Sequence, residues 1–139
     1  MDLQRAAGKT VEEIERNVRA FQRKVLDLQI KQERSLSPDE ITFLDRAIPD
    51  TRAYCRFLHI PEPKKLIKAL KNVSYRRIFI LDLLPMVKDY ARREGAADQR
   101  QIHELLLDVY NTLPFPVTRV PVLPAEERAK FVLKYVENS

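Results

Sequence analysis

The sequence predicts an all-α fold, a single-domain bundle of six or seven helices, and three observations carry that expectation. The 139 residues include only two glycines, while 32% are charged, and an all-β chain of this size normally spends more glycine on its turns. Helix-capping signals recur along the chain. The longest apolar run, Ile78 to Val87, lies between Ser74, a good N-cap, and Gly95, a good C-terminal stop. That run is read as a central helix kinked at Pro85, whose ring removes the bond to the carbonyl of Leu81. Ile78, Phe79 and Ile80 also suit a strand, but Pro85 cannot donate in a central ladder, so helix is preferred.

The elements follow in order. Residues 1–9 are expected to be flexible, and the first long helix starts at Val11, where Thr10 and Glu13 form a T-x-x-E capping box. Val11, Ile14, Val18, Phe21, Val25 and Leu28 recur at spacings of 3 and 4, a heptad seam of the kind two helices share in an oligomer. Leu26 and Ile30 widen the stripe, which favours packing on the chain's own core over dimerisation. A second helix is expected from Ser37, with Pro38 at its first position, Glu40 reaching back and Leu36 stapled to Ile41. Pro49 then breaks or kinks the chain, and a short helix carries Tyr54, Phe57 and Leu58 toward His59.

After Pro61 and Pro63 comes a basic amphipathic turn, with Leu66, Ile67 and Leu70 inward and Lys64, Lys65, Lys68 and Lys71 outward. Beyond the central helix, Asp98 and Gln101 start another, whose apolar positions Ile102, Leu105, Leu106, Val109, Tyr110 and Leu113 follow a helical period up to Pro114. Residues 114–124, with four prolines among LPFPVTRVPVLP, read as an extended arm, and 125–137 as a C-terminal helix with Glu126 and Glu127 in its first turn. The capped stretches at Ser37 and Asp98 echo one another at matching core positions, Ile41 with Ile102 and Leu44 with Leu105, as two helical hairpins would.

Charge is unevenly spread. The total is +5, yet Arg52 to Arg93 alone holds eleven Lys or Arg against three acids. Lys64, Lys65, Lys68, Lys71, Arg76 and Arg77 are the candidate surface for a protein partner or nucleic acid, with Tyr75 available for stacking and Arg92 and Arg93 as an extension. No recognition element accompanies them: a helix-turn-helix over 37–48 and 50–59 would carry Pro49 in its turn.

Catalytic constellations are not evident. Cys55 and His59 share one helical face at metal-ligand spacing, but a zinc site needs two further ligands, and a buried structural cysteine is the better account. Glu33, Asp39 and Glu40, or Glu94 and Asp98, could gather a hard cation, although capping already explains Asp39, Glu40 and Asp98. Gly8-Lys9-Thr10 copies the end of a phosphate-binding loop, yet the first glycine of that motif would fall at Leu3, and no strand is expected before it, so the match is set aside. No metal site and no cofactor are expected. A single cysteine fits a reducing compartment, hence the cytoplasm. The opening residues lack an apolar signal core and the central run is too short to span a bilayer, which argues against stable membrane insertion.

The segment from Val73 to Leu113, an apolar helix ending at Glu94-Gly95 followed by a capped polar turn, resembles the tellurite-resistance TerB-like domains. The resemblance extends over residues 26–113. It implies an all-helical module of two related hairpins, with a metal-binding loop whose Asp-Gly reads Glu94-Gly95 here and whose polar residues are replaced by Ala96-Ala97. Together these readings point to a noncatalytic interaction or scaffolding module that binds a protein partner or a second copy, with nucleic-acid binding as the alternative.

Overall fold

The computed structural model describes residues 10–83 and 90–137. Contacts divide the chain into two compact units, Met1–Val73 and Ser74–Ser139, each described by itself.

The first unit is helical: α1 (Val11–Arg34), α2 (Ile48–Leu58) and α3 (Lys64–Leu70). Helix α1 starts at its capping residue, where the Glu13 N–H donates to Thr10 Oγ1 at 3.1 Å. Acids in its first turn and Lys31 and Arg34 in its last match the helix dipole. It buries Ile14, Gln22, Leu26, Gln29 and Ile30. Leu26 and Ile30 pack with Ile48 and the fully buried Leu66, and Ala69, Leu70 and Val73 close the cluster. Helix α2 has Ala47 at its N-cap, which offers no side-chain acceptor. Glu33 on α1 supplies one instead, its Oε2 accepting from the Ile48 N–H at 2.9 Å. The helix stops at His59, which adopts the left-handed conformation (φ 55°).

The second unit is a β-α-β arrangement followed by a helix: β1 (Ile78–Leu81), α4 (Tyr90–Asn111), β2 (Val117–Val120) and α5 (Ala125–Glu137). The strands run parallel, with Ile78 opposite Val117 and Leu81 opposite Val120. Hydrogen bonds from Ile78 N–H to the Pro116 carbonyl and from Asp82 N–H to the Val120 carbonyl, both 2.9 Å, bracket the ladder. On one face Ile78, Ile80 and Val117 pack with Leu106, Leu107, Tyr110 and Leu113. On the other, Phe79 meets Tyr135 of α5 edge-on, with centroids 6.1 Å apart.

This mixed α/β architecture, five helices and a two-stranded parallel sheet among the described residues, corrects the all-α expectation of six or seven helices. Ile78–Leu81 is a strand because Val117–Val120 pairs with it. The kink at Pro85 lies outside the described residues, as do residues 1–9. Gly95 does not stop a helix: α4 runs through it without a break at Asp98. Nor does a helix start at Ser37. Its hydroxyl accepts from the Asp39 N–H at 3.3 Å in a local turn, and Ile41 to Leu44 are neither helix nor strand. The side chain served a turn rather than a cap. With that helix go the internal echo and the helix-turn-helix alternative. Among the described residues no helix is long and apolar enough to cross a membrane.

Candidate functional site

Parallel strands with a connecting helix place ligands beyond the carboxyl ends of the strands, where loops diverge and N–H groups face outward. In the second unit that end carries a charged pair. Arg119 Nε and Nη2 donate to Asp82 Oδ1 at 3.1 and 2.9 Å. The register creates the pair: Arg119 lies opposite Ile80, which puts it diagonally beside Asp82 on the same sheet face. Asp82 is half-buried and Arg119 exposed. At the opposite end of β1, Arg77 donates to Thr118 Oγ1 at 3.0 Å and stacks 5.1 Å over the Tyr135 ring. Its guanidinium is therefore engaged in packing.

The basic residues singled out in the sequence separate between the units. Lys64, Lys65, Lys68 and Lys71 are exposed on and just after α3, and Lys65 forms an ion pair with Asp27. Arg76 is exposed and Arg77 half-buried in the second unit. The structure gathers Lys65 with Lys31 and Arg34 instead, in an open cleft of about 430 Å³ also lined by Asp27, Ile30 and Ser35. That grouping was invisible to a linear search, since some thirty residues separate Lys31 and Arg34 from Lys65. Of the heptad seam, Ile14 is buried, Val18 and Val25 are half-buried, and Val11, Phe21 and Leu28 are 60–67% exposed.

Cys55 is fully buried beside a small cleft of about 70 Å³ whose lining includes Arg19, Arg23 and Glu62. Burial, and then the negative charge of Glu62, push the thiol's pKa up. A thiol held protonated is a poor nucleophile and a poor metal ligand. Glu62 is itself fixed by Arg52, which donates to both carboxylate oxygens at 2.7 and 3.2 Å. Glu33 caps α2, and no group of three or more His, Cys, Asp or Glu gathers as metal ligands among the described residues.

At the start of α1, Thr10 directs its hydroxyl into the helix cap, and Glu12 and Glu13 occupy the first turn. This acidic turn does not fit a polyphosphate, because its carboxylates oppose the helix dipole's attraction for anions.

A family model described as an AAA domain matches residues 1–128. The chain belongs to the AAA domain family. No curated protein and no solved structure matches it. AAA domains are nucleotide-handling modules of the P-loop class, and membership corrects three expectations. The TerB-like resemblance falls, and the loop at Glu94-Gly95 on which it rested is continuous helix in α4. The noncatalytic interaction module and its nucleic-acid alternative are overturned, as is the expectation that the chain is not an enzyme. Those readings rested on missing side-chain constellations. Phosphoryl transfer works largely by positioning and by backbone and cationic contacts to phosphate, so it leaves few such constellations to find.

Proposed function

We propose that this AAA domain binds and hydrolyses a nucleoside triphosphate, with the phosphates received at the carboxyl edge of β1 and β2. The match over residues 1–128 carries the reading. The parallel β1-α4-β2 arrangement supports it, because its open end is where such folds take anionic ligands. Among the described residues Arg119 is a cation at that edge; Asp82 holds its Nε and Nη2 side, which leaves the Nη1 side of the guanidinium for a phosphate oxygen. The protein works in the cytoplasm on this reading, which accords with a single, buried, unpaired thiol.

Titration of the whole chain with fluorescent ATP and GTP analogues in the presence of Mg²⁺, followed by assay of released phosphate, tests the proposal. Saturable binding is expected, weakened about tenfold or more by Arg119→Ala through loss of a charge-assisted contact, with the melting temperature little changed. Absence of binding to any nucleoside triphosphate at millimolar concentration removes the reading, and binding indifferent to Arg119→Ala removes the assigned edge.

A further inference from the structure

Along α1, Arg19, Gln22 and Arg23 follow one another at i, i+3 and i+4, so one stripe of the helix carries three side chains with hydrogen-bond donors. All three line the small cleft beside Cys55, together with the chain from Ile60 to Pro63.

Donors outnumber acceptors there. Arg19 Nε is buried and has no acceptor among the described residues. Gln22 is 8% exposed, a depth that amide side chains rarely reach. Arg23 is exposed and adds five donors and no acceptor. The side-chain acceptors are the Gln22 amide oxygen and Glu62, whose two oxygens Arg52 already holds. A buried donor without a partner is costly unless an ion or water meets it. The cleft, about 70 Å³, has room for one small polyatomic ion and is far below the roughly 300 Å³ of the smallest ordinary ligand pockets. Arg19 also holds Glu15 at 2.7 Å, but that pair is exposed and weak enough in water to be exchanged for a buried contact.

We propose that this cleft is a site for a phosphate group, its oxygens accepting from Arg19, Gln22 and Arg23. A carboxylate has two oxygens and is saturated by one guanidinium fork, whereas a tetrahedral oxyanion engages three donor side chains at once. Arg19 and Arg23 supply the charge, and Arg52 offsets that of Glu62. Inorganic phosphate and the phosphate of a larger ester share this chemistry. The site lies within the helical unit and does not depend on nucleotide binding at the edge of β1 and β2.

Cys55 is the chain's one cysteine, so the rate at which a thiol reagent labels the native protein reports on this cleft. Inorganic phosphate should slow labelling, by roughly tenfold at ten times its Kd, while chloride at matched ionic strength and acetate should not. Arg23→Gln should abolish the protection and leave the melting temperature unchanged, because that side chain is exposed. Lys31→Gln with Arg34→Gln, on the same helix, and Arg119→Ala at the sheet edge should each leave the protection intact. Glycerol 2-phosphate decides the source: protection equal to that by inorganic phosphate means an esterified phosphate with its remainder outside the cleft, and protection by inorganic phosphate alone means the free ion. No protection by either overturns the proposal. So does protection that acetate reproduces, that survives Arg23→Gln, or that either control variant removes.

Discussion

The two units solve the same problem, satisfying the backbone while burying apolar side chains, by different means. In Met1–Val73 each helix bonds its own interior, and side chains serve two of the helix starts: Thr10 caps α1, and Glu33 reaches from α1 to the start of α2. In Ser74–Ser139 the strands borrow partners from distant sequence, β1 from residues some forty positions away. Helices localise their needs, whereas a strand exports half of its own. The helical unit therefore depends mainly on neighbours in sequence, and the sheet unit is the one whose pairing, and whose proposed ligand edge, depend on distant residues.

The largest expected effect comes from removing the side chain at the centre of the helical cluster. Leu66→Ala should cost about 2–5 kcal/mol, read as a lower urea midpoint. Amide exchange should accelerate through α1, α2 and α3 while the β1 amides keep their protection; loss of protection in both units together would break the comparison, because the units would then be unfolding as one. Next is the borrowed cap. Glu33→Gln keeps an acceptor but removes the charge at the α2 N-terminus, and should cost about 1–2 kcal/mol, confined to α2 in exchange measurements. A change spread evenly over the helical unit would show that Glu33 acts through something other than the cap.

In the sheet unit the sign reverses. Gly95 lies inside α4, and a Cβ added there meets nothing within 4 Å. Gly95→Ala should stabilise by about 0.5–1 kcal/mol, since alanine loses less backbone entropy in a helix. A lower melting temperature would mean that the position needs glycine for another reason. The smallest effect at neutral pH, and one that sharpens the contrast in alkali, belongs to Cys55. Its pKa is raised above the ordinary 9.0, so the folded thiol keeps its proton after the unfolded chain has lost its own. That contribution is intact below about pH 9 and is lost as pH climbs through the folded value. Urea midpoints between pH 8 and 10 should decline more steeply for the native chain than for Cys55→Ala. Parallel slopes would show that the thiol is not the titrating group.

Legibility followed the same division. The cap at Thr10, the inward Leu66 and the helix leading to His59 could be read from neighbours three or four residues away, and they stand in the structure where that reading put them. Ser37-Pro38 was misread by the same logic, because a hydroxyl that can cap a helix can also close a turn, and nothing local distinguishes the two. Gly95 was misread as a stop because a glycine tolerated within a long helix looks the same in sequence as one that ends it. The proposed site was hidden for a plainer reason. Asp82 and Arg119 are 37 positions apart, and only the strand register brings them together.

What the sequence by itself determined is the start of the first helix at Thr10, the inward place of Leu26, Ile30 and Leu66, and the short helix that ends at His59, since those depend on 3.6-residue periodicity and caps within one turn. The state of Ile78–Leu81 was decided elsewhere. Four apolar residues satisfy a buried helix and a buried strand equally well by pattern, and the choice fell to the partner available, Val117–Val120, whose β-branched residues and flanking Pro116 and Pro121 favour an extended chain. A helix finds its hydrogen bonds within itself and can be read locally, but a strand finds them in another part of the chain, so only the tertiary structure settles where it exists and what its carboxyl end presents.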